Sequence, residues 1–229
     1  MFGLVNMTAA TSFESCDARA ETSRRPSGPV AVKSFLDRYL PAPIIVAKDG
    51  RYSLDFDRPE SIGQVHAFYG NVGVILKSYA YIVNLGAQGL RRASENAVLN
   101  ANYLLNRIVS EYEVPYGDRC MHEFVASAIK QKALGVRALD IAKRLMDYGF
   151  HPPTIYFPLI VPEALMIEPT ETETLETLDR FADAMLAIAR EARSDPDLVR
   201  SAPHTTSVSR LDETAAARRL ELRWKNTGD

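Results

Sequence analysis

Hydrophobic residues recur at helical spacing in the last third of the chain. Between residues 171 and 193, apolar side chains fall on one stripe with a period near that of an α-helix: Leu175, Leu178, Phe181, Ala182, Met185, Ile188 and Ala189. Thr170 stands before this run and Glu173 follows it by three residues, which is the spacing of a capping box. The pattern predicts an amphipathic helix over 171–193, capped by Thr170.

A proline-rich stretch, residues 147–173, connects this helix to an earlier one predicted over 135–148. The earlier helix places four apolar residues on its inner face, namely Leu139, Ala142, Leu145 and Met146. Within the stretch, prolines exclude helix, and segments 154–157 and 165–167 are rich in β-branched and aromatic residues. We predict strands there and over 120–128. The second half therefore reads as α+β, with helices packed on a small sheet.

The first half shows a hairpin followed by a long helical region. Asp49-Gly50 separates two short apolar segments, 44–46 and 52–56, as in a β-hairpin. Residues 32–39 are predicted as a helical turn with Phe35 and Leu36 pointing inward. From 61 to 112, apolar residues keep helical spacing, with interruptions at Gly86 and Gly89. A boundary is predicted at 112–118.

Asparagine is unusually frequent in the second part of this helical region. Four asparagines lie close together there: Asn96, Asn100, Asn102 and Asn106. Because asparagine is a weak helix former, we expect some of them to bind neighbouring backbone or side chains. The alternative, that they face solvent, stays open at this point.

Composition and charge restrict the class of protein. The chain is 46% hydrophobic and 24% charged with a net charge of −2, which is typical of a soluble protein and gives no reason to expect nucleic-acid or membrane binding. Two distant cysteines, Cys16 and Cys120, indicate unpaired thiols and a cytoplasmic location. Residues 1–27 lack a sustained period and are predicted to be poorly ordered.

Candidate chemistry is limited when only residue types and spacing are considered. None of the histidines is spaced from another as metal ligands on a helix would be, so no metal site is predicted. His122 and Glu123 would face opposite sides of the predicted strand, so His122 is predicted to be a bonded structural residue. A metal hydrolase using His122 or His151 is the weakest alternative.

Several segments recur in the order in which one protein family has them. They are Gly28-Pro29-Val30, Gly70-Asn71, Ala97-Val98-Leu99-Asn100-Ala101-Asn102-Tyr103, Met121-His122-Glu123-Phe124, Asp147-Tyr148-Gly149-Phe150-His151, Pro153-Thr154 and Met166-Ile167-Glu168-Pro169-Thr170-Glu171. On these motifs, the chain from Gly28 to about Trp224 resembles the C-terminal part of glycine dehydrogenase (decarboxylating), the P-protein of the glycine cleavage system. The resemblance is greatest to the second subunit of the two-subunit form.

The resemblance implies an aspartate-aminotransferase-type (fold type I) pyridoxal phosphate enzyme. Residues 118–229 would be its C-terminal small domain, and 28–117 the end of the large domain with connecting helices. The family decarboxylates glycine and passes the aminomethyl group to the lipoyl arm of the H-protein; a first P-protein subunit or half is the expected partner. Polar residues at the ends of predicted elements are where sites are commonly built, so the candidate active-site-lining residues are His151, Thr154, Glu168 and Thr170, together with Asn71 between Gly70 and Val72. Structural alternatives are a turn for Asn71, a helix-end contact for His151 and a cap for Thr170.

One departure from the family pattern concerns the cofactor. The family's Schiff-base lysine lies in a His-Lys pair, followed by a glycine-rich tract that leads into Gly-Pro-Val. Here no histidine precedes a lysine, and no glycine-rich tract precedes Gly28. We therefore assign no Schiff-base lysine and expect residues 1–27 to be foreign to the family and the chain to be a fragment that is inactive alone. The alternative is a catalytically dead remnant that acts as an interaction or regulatory module.

The same comparison predicts that residues 28–117 are not self-sufficient. Their helices would pack in the family against a parallel sheet that this chain lacks. The apolar residues expected to be left in water are Val72, Ile75, Ile82, Leu104 and Ile108.

Overall fold

The structure is a computed structural model that describes residues 32–65, 71–220 and 222–223. It divides into two compact units between Arg91 and Arg92. This division lies earlier than the predicted boundary at 118, and the assignment of 28–117 and 118–229 to two domains of a larger enzyme stays a prediction. The expectations for residues 1–27 and for Trp224 fall outside the described residues.

The first unit contains a β-hairpin. Strand β1 (Ile44–Lys48) pairs antiparallel with β2 (Arg51–Asp55), so that Ile44 faces Asp55 across the ladder. Asp49 and Gly50 connect the strands with φ values of 52° and 72°. Aspartate and glycine tolerate this left-handed backbone, which is why this dipeptide forms the turn. The predicted hairpin is confirmed.

A short 3₁₀ helix, Ser34–Tyr39, precedes the hairpin. Phe35 is 63% exposed, and none of the residues of this helix is buried. The prediction that Phe35 and Leu36 point inward is therefore wrong. A short helix presents apolar side chains whether or not another element covers them, so the pattern alone does not establish burial.

Helix α1 (Val72–Ile108) is shorter than the predicted 61–112, because residues 61–65 are irregular and the helix ends at Ile108. Gly86 interrupts it with φ 61° and ψ −177°, as the sequence pattern indicated. Its early apolar residues, among them Val72, are exposed. Leu104 and Ile108 are buried in the core of the second unit, so the prediction that they lie in water is wrong.

The second unit has a three-stranded antiparallel sheet in the order β3-β5-β4, formed by β3 (Phe124–Ser127), β4 (Thr154–Ile155) and β5 (Ala164–Ile167). β3 is shorter than the predicted 120–128, because the backbone of Cys120 binds a side chain of α1 and not a strand. β4 stops early because Tyr156 takes a φ of 60°, which no strand accommodates.

The described part of this unit has five further helices: α2 (Ile129–Lys132), α3 (Ala138–Asp147), α4 (Leu175–Ser194), α5 (Pro196–Arg200) and α6 (Glu213–Arg218). Helix α4 begins later than predicted. Its cap is Thr174, whose hydroxyl accepts a hydrogen bond from the amide of Thr177 at 3.2 Å. The predicted Thr170 capping box is wrong, because the Thr170 hydroxyl bonds to that of Thr172 instead.

The core lies between the end of α1, the sheet, α3 and α4. It includes Leu105, Ile108, Ile141, Leu145, Leu165, Met185 and Ile188, all fully or almost fully buried. The stripe predicted on α4 is confirmed for most of its members, whereas Leu175 is exposed and Phe181 half-buried. On α3, Ile141 is buried while Leu139 and Met146 are only half-buried. The α+β prediction is confirmed.

Candidate functional site

The ends of the three strands bring polar residues to one edge of the sheet. Phe124, which begins β3, pairs with Ile167, which ends β5, and Thr154, which begins β4, pairs with Met166. Because neighbouring strands are antiparallel, the start of β3, the end of β5 and the start of β4 meet at the same edge. We call the residues at or just beyond these ends the polar edge: His122, His151, Thr154, Glu168 and Thr170.

His122 and Glu168 form an ion pair at this edge. The distance from His122 Nε2 to Glu168 Oε1 is 3.8 Å, and both side chains are partly exposed. The contact is therefore electrostatic and depends on a protonated imidazole, because the separation exceeds a hydrogen bond. Within the described residues, no group of three or more His, Cys, Asp or Glu side chains could hold a metal ion.

Thr170, a member of the polar edge, begins a turn. Its carbonyl oxygen accepts hydrogen bonds from the backbone amide of Glu173 at 3.3 Å and from Asn100 Nδ2 at 2.8 Å. Asn100 Nδ2 also reaches the Glu173 carbonyl oxygen at 3.4 Å. The side chain of Asn100, on α1, thus holds the loop that follows β5.

Asn102 makes the matching contact with the segment that precedes β3. Its Nδ2 donates to the Cys120 carbonyl oxygen at 2.7 Å and to the Val98 carbonyl oxygen at 2.8 Å, and its Oδ1 accepts from the Cys120 amide at 3.1 Å. Asn106 donates only within α1, to the carbonyl oxygen of Asn102 at 2.7 Å. The expectation that some asparagines bind backbone groups is confirmed for these three.

A cavity of about 330 Å³ adjoins the polar edge. Cys120, Met121 and His122 are among the residues that line it, together with Leu105 of α1. Burial raises the pKa of the Cys120 thiol, which keeps the thiol protonated at neutral pH.

An ion-pair network fixes α3 against α4. The guanidinium of Arg144 binds both carboxylate oxygens of Glu191, at 2.9 and 3.0 Å, and Asp147 at 3.0 Å. The hydroxyl of Tyr148 donates to Glu191 at 2.7 Å. Burial alone would raise the pKa of Glu191, but the hydrogen bonds from Arg144 and Tyr148 outweigh it and lower that pKa. The helix that leads to His151 is therefore held rigidly.

The strand register places four of the five residues predicted from the sequence at or just beyond one end of the three-stranded sheet. His151, Thr154, Glu168 and Thr170 lie at the polar edge. Asn71 lies in the first unit, where its Oδ1 accepts from the amide of Val74 at 3.4 Å and its carbonyl oxygen accepts from the amide of Ile75. These contacts place Asn71 at the start of α1, and both its turn role and its active-site role stay predictions. Sequence reasoning predicted His122 to be a bonded structural residue of a strand and did not count it among the site residues. The structure places it before β3, and its pairing with Glu168 depends on the register of β3 and β5.

Comparison with known proteins places the second unit in a family. Residues 93–204, which include the whole polar edge, match the family model for the glycine dehydrogenase C-terminal domain. Over 198 residues the chain is 60% identical to the probable glycine dehydrogenase (decarboxylating) subunit 2 of Caldanaerobacter subterraneus subsp. tengcongensis, and over 203 residues 56% identical to that of Bacillus velezensis. These alignments cover 86% and 89% of the chain and 41% of each relative.

The fold is similar to that of a crystal structure of glycine decarboxylase (P-protein) of the glycine cleavage system in inhibitor-bound form, with a TM-score of 0.56, 19% identity and coverage of 70% of this chain and 39% of that one. At this identity, the similarity concerns the fold. The chain spans about two-fifths of the length of its curated relatives, at 41%. Together, these findings show that the chain belongs to the glycine dehydrogenase (decarboxylating) family and corresponds to the C-terminal part of the P-protein.

Proposed function

We propose that the chain supplies the C-terminal part of a pyridoxal phosphate-dependent glycine decarboxylase. In this proposal, the complete enzyme decarboxylates glycine and transfers the aminomethyl group to the lipoyl arm of the H-protein. The observation that carries the proposal is the 60% identity over 198 residues to a glycine dehydrogenase subunit 2. The family match also includes every residue of the polar edge.

Two lysines of the second unit, Lys130 and Lys132, do not fit the cofactor by themselves. A lysine amine holds pyridoxal phosphate in enzymes that use it. Lys130 and Lys132 lie in α2, which follows β3 and is therefore at the sheet edge opposite the polar edge. Lys130 binds the Ser110 carbonyl oxygen at 3.3 Å, and Lys132 pairs with buried Glu163 at 2.8 Å. We propose that the cofactor lysine comes from a part of the enzyme outside this chain.

The polar edge is the part of this chain that we propose to face the substrate. Thr154 offers a hydroxyl, Glu168 a carboxylate and His122 an imidazole, and all three are partly or largely exposed. Such groups can orient an amino acid, whose ammonium and carboxylate need an acceptor and a donor. His151 and Thr170 would complete this surface, and the active-site role of Asn71 stays a prediction.

The proposed partners are the first P-protein subunit or half and the lipoyl H-protein, and the proposed location is the cytoplasm. The name subunit 2, which the relatives carry, implies another subunit in their enzymes. In the described ranges, the helices are too short or too polar to cross a membrane.

A second candidate is a catalytically dead interaction or regulatory module. Two observations favour it. Among the described lysines of the second unit, none lies at the polar edge, and in the first unit the early part of α1 exposes apolar side chains, namely Val72, Ile75, Leu76, Tyr79, Ile82 and Val83. Apolar surface of this kind is typical of an interaction site.

Reconstitution distinguishes the two candidates. The chain would be mixed with subunit 1 and the preceding part of subunit 2 from the Caldanaerobacter relative, and exchange of labelled carbon dioxide into glycine measured with H-protein present. The enzyme proposal predicts exchange only when this chain is added, and the full-length relative serves as the positive control. A stable complex without exchange would contradict the enzyme proposal and support the module.

A further inference from the structure

We propose that Asn100 and Asn102 are positioning residues that act as one clamp and set the shape of the polar edge. The inference rests on the proposed function in one respect, because it assumes that this edge serves the reaction. Its geometric part stands on the contacts alone. Neither asparagine touches the His122–Glu168 pair directly; each holds a backbone segment that carries one member of it.

The two asparagine side chains project from α1 in different directions. Residues two apart on an α-helix point about 200° apart, since each residue turns the helix by about 100°. Asn100 and Asn102 therefore project from nearly opposite sides of the helix. Asn100 reaches the loop after β5, and Asn102 reaches the segment before β3. This part of α1 therefore contacts both the loop after β5 and the segment before β3. Both segments adjoin the end of the sheet where Phe124 pairs with Ile167.

The clamp holds the two segments that carry His122 and Glu168. Within the part of the chain that the structure describes, residues 118–122 take their backbone hydrogen bonds from Asn102 alone, through the amide and carbonyl of Cys120. His122 follows Cys120 by two residues. On the other side, Asn100 binds the carbonyl oxygen of Thr170, two residues after Glu168. Shifting either segment would change the 3.8 Å separation of the His122–Glu168 pair.

The two asparagines use their side-chain amides differently. Asn100 acts only as a donor, because both of its partners are carbonyl oxygens. Asn102 needs both a donor and an acceptor, because it binds the carbonyl and the amide of Cys120. A carboxylate at position 100 would face two carbonyl oxygens without a proton between them. Asn100→Asp should therefore displace the loop after β5 more than Asn100→Ala does. At an asparagine exposed on the surface, the two substitutions would not differ in this way.

Thiol labelling of Cys120 tests the clamp without reference to activity. Cys16 is replaced by serine in every protein, so that the labelling reagent reports on Cys120. Asn102→Ala is expected to raise the labelling rate about 5- to 30-fold, since it removes two hydrogen bonds from the Cys120 backbone. Asn106→Ala is the matched control, because Asn106 binds only its own helix. Equal labelling rates for the two variants, each with unchanged far-UV circular dichroism, would overturn the clamp.

If Asn102→Ala fails to fold, Asn102→Asp replaces it, because the carboxylate still accepts from the Cys120 amide. It should label faster than the unsubstituted protein. No change in the rate would overturn the inference in the same way.

The pH profile of exchange in the reconstituted enzyme tests whether the clamp acts through the ion pair. Asn100→Ala and Asn102→Ala should alter the profile in the same sense as Glu168→Gln, and combining either with Glu168→Gln should add little. Asn106→Ala should keep the original profile. Fully additive effects would overturn the positioning role. Absence of exchange in the unsubstituted assembly would instead overturn the proposed function, with the clamp still decided by labelling.

Discussion

Removing one buried hydroxyl should change the pH dependence of stability. Tyr112 is 0% exposed and donates a hydrogen bond from its hydroxyl to the Met185 carbonyl oxygen at 3.0 Å. It therefore connects the segment after α1 to the middle of α4. Burial raises the pKa of this hydroxyl far above its ordinary value of 10.0, and the charge of Glu111 adds to the rise.

The magnitude for Tyr112→Phe follows from these contacts. At pH 7 the variant loses one hydrogen bond, which should cost about 1–1.5 kcal/mol of unfolding free energy. Above about pH 10 the unfolded tyrosine ionises while the folded one keeps its proton, so this residue's contribution falls by about 1.4 kcal/mol per pH unit. The phenylalanine variant lacks that loss. The two proteins should therefore be about equally stable near pH 11.

Urea unfolding followed by circular dichroism at pH 7, 10 and 11 measures both effects. Tyr116→Phe is the control, because Tyr116 is 58% exposed and its hydroxyl should contribute little at any pH. A stability difference between the unsubstituted protein and Tyr112→Phe that stays constant from pH 7 to 11 would refute the reasoning about burial. A difference of zero at pH 7 would refute the hydrogen bond.

Three further predictions concern the same unit and its boundary. The folded pKa of Glu191 lies below its ordinary value of 4.5, so the stability that its carboxylate contributes is lost as the pH falls below that value. Glu191→Gln should therefore make the free energy of unfolding in urea depend less on pH in this acid range. An unchanged pH dependence would contradict the pKa argument. Phe181→Ala should cost about 1–3 kcal/mol, because the ring is half-buried against Phe150, and fully buried Met185→Ala about 2–5 kcal/mol; the reverse order would show that the stripe on α4 is misassigned. Hydrogen exchange should be fast over residues 72–85 and slow over 101–108, and slow exchange throughout 72–85 in a monomer would contradict the exposure of its apolar side chains.

Local sequence patterns correctly predicted those elements whose geometry depends on neighbouring residues alone. The Asp49-Gly50 turn needs positive φ at both positions, and these residues supply it wherever the hairpin lies. The sequence pattern could not identify the residue that caps α4, because threonine occurs at positions 170, 172 and 174. Only the contacts of the folded chain show that Thr174 caps the helix while Thr170 binds Asn100.

The candidate site was predictable only in part, for the same reason. The residues near strand ends could be named because polar residues flanked apolar segments. Their grouping depends on the register of three strands, which the sequence does not state. The roles of Asn100 and Asn102 depend on partners 70 and 18 residues away along the chain. Such contacts leave no periodic signal, so the asparagines could be noticed for their frequency but not assigned.

The location of the cofactor lysine tests the central proposal most directly. The reconstituted assembly would be loaded with pyridoxal phosphate, reduced with borohydride and digested, and the pyridoxyl-lysine identified by mass spectrometry. The proposal predicts the label on a lysine of the added part of subunit 2 and none in stoichiometric amount on this chain, with or without its partners. A stoichiometric label on one specific lysine of this chain would contradict it.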